Sequence, residues 1–306
     1  MNLASFQTDE TPLAPGLYLV GTPIGNLGDI TLRALRVLSA ADRIACEDTR
    51  QTQKLLNHFQ IATPTVSCHH HNEHARATEL VEALKTGARI ALVSDAGLPG
   101  ISDPGTWLVA AAVAAGVPVI PIPGANAALT ALIASGLGTD EFLFLGFLPE
   151  KAGARRTRLE ELKTELTSEQ RTSARTVIFY EAPHRILETL SDLESVFGPA
   201  LKVCLARELT KLHEEFIRTT VAAAREDLVA RDRVRGEFVL LIETPAYTPG
   251  TDDATEAHKT VAVRVAELQA AEGIDEKEAL KRLARQMGQS KSDLYRELQR
   301  ERAKRR

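Results

Sequence analysis

The sequence has little cysteine, and what it has is scattered. Cys46, Cys68 and Cys204 form no Cys-x-x-Cys pair, which argues against a disulfide framework or a zinc ribbon and fits a reducing compartment. The opening stretch MNLASFQTDETPLAPG has no cationic start and no apolar core. Residues 1–15 are therefore expected to form a flexible lead-in rather than a signal peptide, and the protein to be cytoplasmic. An uninterrupted apolar run of membrane length is also lacking. Residues 105–139 carry no charge, but Gly116, Pro118, Pro121, Pro123 and Gly124 divide them into pieces too short to cross a bilayer. No G-x-x-x-x-G-K-[ST] loop occurs, and the turn at Gly21 lacks the G-x-G-x-x-G spacing, which disfavours a P-loop NTPase and a Rossmann dehydrogenase.

What is present suits an α/β enzyme. The chain has 306 residues, 44% hydrophobic and 25% charged, enough for two compact cores. A net charge of −4 argues against an indiscriminate polyanion binder. The distribution is uneven, however: from Lys277 to Arg306 there are eleven Lys or Arg against four acids, so the C-terminal end is locally basic.

Short β-rich runs alternate with helical patterns in the first half: LYLVG at 17–21, RIACE at 43–47, RIALVS at 89–94 and VPVIPIP at 117–123. Such alternation predicts a mostly parallel sheet covered by helices. The helices are expected after Asp29 as N-cap, over 73–85, over 106–115 and over 125–135. A second α/β pattern follows, with strands expected at 142–146, 176–181, 202–207 and 237–243. The organisation predicted is an N-terminal α/β domain over 16–138, a second over 139–243, a linker over 244–257 and a basic helical extension over 258–306. In the extension, Ala279, Leu280, Leu283, Ala284 and Met287 recur at helical spacing. Gly288 and Ser290 break the run before Leu294, Tyr295 and Leu298 resume it. This spacing is compatible equally with a helix-turn-helix and with a plain helical hairpin.

Three glycine-rich loops leave the C-terminal ends of predicted strands, where open α/β sheets bind ligands. They begin at Gly21, Ser94 and Pro123. Glycine there permits positive φ and close backbone approach, and the following helix N-termini offer unpaired N–H groups. Any one loop could be no more than a tight βα turn; three on successive strands point to a nucleotide-like ligand.

GTPIGNLGDITLRAL, Glu47-Asp48-Thr49-Arg50, SDAGLPGISDPG, PGANAALTALIASGL, FLFLGFLP, FYEAPHRI and RELTKLHEE, in this order over about residues 16–243, resemble the rRNA-modifying branch of the tetrapyrrole methylase superfamily. The resemblance implies two α/β domains with S-adenosylmethionine in the cleft between them, usually a homodimer. It also implies 2′-O-methylation of a cytidine in the decoding region of 16S rRNA, within the 30S subunit. By the same resemblance Pro23, Asp95, Ala96, Gly97, Ile101, Ser102, Ala125 and Asn126 would contact the donor, with Tyr180 from the second domain. Asp103, before Pro104, is expected to cap a helix instead.

A ribose hydroxyl is a poor nucleophile while protonated, so a nearby base is expected to help, with Glu47, Asp48 and Glu181 as candidates. Each could equally form an ion pair with Arg50, Arg185 or Arg207. Arg50, Lys151, Arg155, Arg156, Arg158, Arg185 and Lys211 are candidate phosphate contacts, against the plainer reading of 151–158 as a solvated helix face. His69, His70, His71 and His74 invite a metal reading, which we decline because adjacent residues of an extended segment point to opposite faces and no second ligand cluster accompanies them. Two other functions compete: a precorrin, uroporphyrinogen or diphthine methylase of the same superfamily, and a non-catalytic RNA-binding ribosome-assembly factor. The EDTR and YEAPHR motifs and the basic tail weigh against the first, the intact SDAG and PGAN loops against the second.

Overall fold

The computed structural model describes residues 12–69, 72–168 and 174–244 and, in the C-terminal part, Val265, Leu268, Gln269, 273–287, 294–296 and Leu298. The chain divides into two compact units, Met1–Tyr247 and Thr248–Arg306. The first contains two five-stranded sheets.

The first sheet is all parallel, in the order β3-β2-β4-β1-β5, from β1 (Gly16–Val20), β2 (Arg43–Cys46), β3 (Thr65–Ser67), β4 (Arg89–Val93) and β5 (Val119–Ile122). Its central strands are buried on both faces, which is why they read as nearly continuous apolar runs. Along β4, Ile90 and Leu92 pack on α3 (Glu73–Lys85) and α4 (Thr106–Ala114). Ala91 and Val93 face the opposite way, toward α1 (Leu32–Ala40) and α2 (Thr49–His58). The N-cap of α1 is Thr31, whose hydroxyl accepts from Ala34 N at 3.0 Å, and not Asp29, which ends a short 3-10 turn two residues earlier. Helix α2 and the three-residue β3 were not expected from the sequence.

The second sheet is mixed, in the order β6-β7-β10-β8-β9, from β6 (Phe142–Phe147), β7 (Arg175–Glu181), β8 (Lys202–Arg207), β9 (Glu215–Thr220) and β10 (Phe238–Thr244). Only β6 and β7 pair in parallel; β10 runs antiparallel between β7 and β8, and β9 is an unexpected antiparallel edge strand. Phe238, Leu240 and Ile242 of β10 face a core shared with α6 (Ala152–Ser168), α7 (Ile186–Phe197) and α8 (Val221–Val229). Val239 and Leu241 face the other side, where Ala128, Ala131 and Leu132 of α5 (Ala127–Ser135) pack. Helix α5 thus leaves the last strand of the first sheet and buries itself on the second. Leu132 alone, 3% exposed, contributes on the order of 1.5–3 kcal/mol to that junction.

In the second unit, Ala279, Leu280, Leu283 and Ala284 of α9 (Glu276–Met287) share a small core with Val265, Leu294 and Leu298, as the spacing implied. Tyr295, expected on the same stripe, is 49% exposed. The predicted break at Gly288 and Ser290, the linker beyond Thr244 and the terminal basic run lie outside the described residues. Among the described residues, no helix is long and apolar enough to cross a membrane.

Candidate active site

The three glycine turns interlock at the C-terminal edge of the first sheet. Thr22 N donates to Gly97 O at 2.9 Å and Gly97 N to Thr22 O at 3.1 Å, a two-bond bridge between the turns after β1 and β4. Gly21 and Gly124 meet backbone to backbone: a Cβ added to either would lie 2.8 Å from the Cα of the other. At Gly97, φ is +85°, the left-handed region that favours glycine. The side chain of Asn126 caps α5, its Oδ1 accepting from Leu129 N at 2.9 Å, so the third turn is held by its own helix.

Beside these turns opens a cavity of about 500 Å³. Ile24, Asp95, Ala96, Gly97, Ile101, Ser102, Asp103 and Asn126 line it from the first sheet. Tyr180, Glu181, Ala182, Pro183, His184, Lys211 and the start of β10, Glu237 to Val239, line it from the second. Of the residues expected at the donor, Asp95, Ala96, Gly97, Ile101, Ser102, Asn126 and Tyr180 are brought together here. Pro23 is not among the lining residues; nor is Ala125, whose carbonyl lies 3.5 Å from where a Cβ on Gly97 would sit. Asp95 Oδ1 accepts from Asp48 N at 3.2 Å, fixing its carboxylate at the wall. Burial raises the Tyr180 phenol above its ordinary pKa of 10.0, and the negative charge of Asp103 adds to this while a bond to the Ala128 backbone opposes it. Tyr180 is therefore neutral throughout the physiological range.

Two expectations about helix ends and bases are corrected. Asp103 does not cap α4. Glu73 does, its Oε1 accepting from Gly105 N and Trp107 N, both at 2.9 Å, which leaves Asp103 on the cavity wall. Glu181 is 2% exposed, and its carboxylate accepts from Thr189 Oγ1 at 2.6 Å and Ala182 N at 2.9 Å while pairing with Arg185 at 3.2 Å. Both oxygens are thus engaged inside the protein, which suits a structural acid better than a base, although Glu181 also lines the cavity. Asp48 caps α2 and pairs with Arg50 at 2.9 Å; hydrogen bonds from that side chain and its backbone hold the carboxyl below the usual range. Glu47 is half-buried after β2, and neither it nor Asp48 is among the lining residues.

The cationic candidates separate as sharply. Arg155 is 1% exposed, with Nε 2.7 Å from the buried Asp192 and a second nitrogen 3.1 Å from Glu188. Arg185 donates to Leu148 O at 2.7 Å and holds Glu181. Both are corrected from phosphate contacts to internal ion pairs. Lys151 and Arg50 are exposed. The Arg156 side chain is 60% exposed but shares Asp192, and Arg158 pairs with Glu161 and Glu165. Lys211 lines the cavity, its ammonium 2.8 Å from Glu208 and 2.9 Å from Glu237. Burial disfavours that charge, yet the two carboxylates outweigh it and keep the pKa above the ordinary lysine value. The stem of Lys211 packs where Gly25 has no side chain, 2.5 Å from the position of a Cβ, so it joins the first glycine turn to the second sheet.

Sequence reasoning missed Phe147, His184, Leu209 and the start of β10. His184, Phe147 and Leu209 lay inside the quoted FYEAPHRI, FLFLGFLP and RELTKLHEE motifs; the start of β10 is at the site because β10 runs antiparallel beside β7. Among the described residues, no group of three or more His, Cys, Asp or Glu could hold a metal ion. His70 and His71 are outside them.

The profile of the tetrapyrrole (corrin/porphyrin) methylases matches residues 16–225. A protein of Halalkalibacterium halodurans named ribosomal RNA small subunit methyltransferase I is 48% identical over 285 residues, 91% of this chain and 93% of its own length. One of the same name from Synechocystis is 53% identical over 235 residues, covering 76% and 81%. Among solved structures, a diphthine synthase superimposes with a TM-score of 0.55 at 15% identity, over 76% of this chain and 90% of its own.

Proposed function

The chain belongs to the tetrapyrrole methylase family, among the relatives named ribosomal RNA small subunit methyltransferase I, and from that premise we propose that it methylates the ribose 2′-hydroxyl of a cytidine in the decoding region of 16S rRNA. The donor is S-adenosylmethionine and the substrate the 30S subunit, met in the cytoplasm by a homodimer. The observation that carries this reading is the locking of three glycine turns into one wall of a cavity that Tyr180 closes from the second sheet.

The wall suits such a donor. Gly97, Ala96 and Ser102 leave backbone within reach of a ligand, Ile101 offers an apolar surface for an adenine ring, and the Asp95 carboxylate complements a sulfonium charge. When bound, S-adenosylmethionine supplies a methyl group already activated by the adjacent positive sulfur. The protein's part is then to hold the ribose oxygen in line and to accept its proton. Positioning supplies most of the acceleration. His184, exposed and lining the cavity, is the acceptor we assign, since an imidazole nitrogen at the cavity wall can take up a proton from a ribose hydroxyl. Arg50, Lys151 and Lys211 remain as contacts to the RNA backbone, and the basic C-terminal extension adds to them. The outer face of α5, where Leu129 and Ile133 are 46% and 79% exposed, supports a second copy of the chain as partner.

The test is to incubate the protein with unmodified 30S subunits and labelled donor, then locate the modified ribose by its resistance to alkaline cleavage. Label on a cytidine ribose of the decoding region is expected. Label on a base, or on a tetrapyrrole offered in competition, overturns the assignment. Calorimetry showing no donor binding would favour a non-catalytic RNA-binding factor.

A further inference from the structure

Strand β6 contains a bulge whose effect is to place a phenyl ring in the cleft. Its register against β7 runs Phe144 to Ile178, then Gly146 to Phe179 and Phe147 to Tyr180, which leaves Leu145 as an extra residue. In a regular strand, residues three apart face opposite sides of the sheet. The inserted residue reverses that parity. Phe144 and Phe147 consequently lie on the same face as Tyr180, with ring centroids 5.0 and 5.6 Å from it, both edge-on.

The bulge depends on glycine. Gly146 has φ +64°, and a Cβ there would stand 3.0 Å from Ser102 Oγ. Ser102 itself has φ +62°, a conformation that costs a non-glycine residue about 1–2 kcal/mol. The strained turn of the first sheet and the bulge of the second are therefore fitted to one another. Their joint outcome is that Phe144 is packed into a core while Phe147 lines the cavity at 56% exposure. A phenylalanine left half in water forgoes the burial that normally justifies it, unless something planar covers it.

We propose that Phe147 is the platform on which the base of the acceptor nucleotide stacks once it has been drawn out of the RNA. The inference rests on the RNA reading above and specifies how that site takes its substrate. An unstacked base has an apolar face that aromatic side chains cover, whatever the identity of its edge. Tyr180, edge-on, holds the phenyl ring in place. Stacking thus holds the nucleotide, and the choice of base is made by other groups.

The test compares methyl transfer to unmodified 30S subunits by the wild type and by Phe147→Ala, Phe147→Leu and Phe147→Trp, with donor affinity by calorimetry and thermal unfolding as controls. Phe147→Ala should raise KM for the subunit roughly 5- to 100-fold with donor affinity and melting unchanged. Phe147→Leu should behave like Phe147→Ala, and Phe147→Trp should restore the wild-type value. A leucine variant as good as wild type would show simple filling of space and overturn the proposal, as would a tryptophan variant no better than alanine. Donor affinity falling in step with activity would place the ring at the donor and also overturn it. If the wild type itself leaves the ribose unlabelled, the acceptor reading fails and this inference with it. If the wild type labels the ribose and Phe147→Ala does so equally well, only this inference fails.

Discussion

Thr22 and Gly97 exchange both of their backbone hydrogen bonds, at 2.9 and 3.1 Å, although 75 residues separate them. This bridge, with the backbone contact of Gly21 and Gly124 behind it, converts three separate βα turns into one wall. The donor site proposed above stands or falls with that joint.

Gly124→Ala should therefore weaken both fold and site. The added methyl would lie 2.8 Å from Gly21 Cα, and such overpacking against backbone costs about 1–3 kcal/mol. Thermal unfolding should shift down by several degrees and donor affinity should fall. Gly138→Ala, where nothing lies within 4 Å, should change neither.

Asp95→Ala should lower donor affinity by about tenfold or more, since a charge-assisted contact contributes roughly 1.5–3 kcal/mol. His184→Ala should instead slow transfer with donor affinity intact, seen as a fall in kcat against an unchanged donor Kd. Glu181→Gln, by contrast, should lower the melting temperature with little change in kcat, because this acid is buried among Thr189, Ala182 and Arg185. A loss of kcat for Glu181→Gln in protein that remains fully folded would return the acid to the mechanism.

Arg155→Ala and Lys151→Ala, four residues apart, should have opposite signatures. The first strips a partner from Asp192, 2% exposed, and breaking a buried pair costs about 3–5 kcal/mol. It should be found in denaturant melts, and the salt dependence of 30S binding should be unchanged. Lys151 is exposed, and its removal should leave stability alone while reducing the salt slope by about one.

The buried thiols predict a pH dependence. Burial pushes Cys68 and Cys204 up from 9.0 to about 11. Below pH 9 both thiols are protonated in the folded and the unfolded chain, and their contribution is complete. Between about 9 and 11 only the unfolded chain ionises them, so stability should decline across that window. A thiol reagent at pH 8 should label neither until the protein is unfolded; rapid labelling of the native protein would contradict their burial.

Truncation after Tyr247 should leave the melting of the two-sheet unit unchanged, because the C-terminal unit closes its own core around Leu280, Leu283 and Leu294. On the RNA reading, the truncated protein should show a higher KM for 30S subunits and a shallower salt dependence. Identical kinetics across a salt series would remove the extension from RNA binding.

Seven of the nine residues that the family resemblance implies at the donor line one cavity; six of them sit on turns whose glycines are legible locally, and Tyr180 comes from β7. The same local logic failed for β9, whose alternating EFIRTT sits at a sheet edge and carries no apolar run, and for β3, three residues long. It failed again for the charges: Arg155 and Arg156 are adjacent and chemically alike, yet one is buried and the other 60% exposed. Helical phase sets that difference, and only the position of Asp192 on α7 reveals it.

The sequence by itself determined the buried strands and the glycine turns, because strands buried on both faces must be apolar throughout and a positive φ must be supplied by the residue that holds it. The tertiary structure alone decided that β10 inserts between β7 and β8, that Glu73 rather than Asp103 caps α4, and that Phe147 opens into the cleft. Each of these depends on pairing between residues far apart in the chain, and such pairing leaves no periodic trace in either partner's own segment.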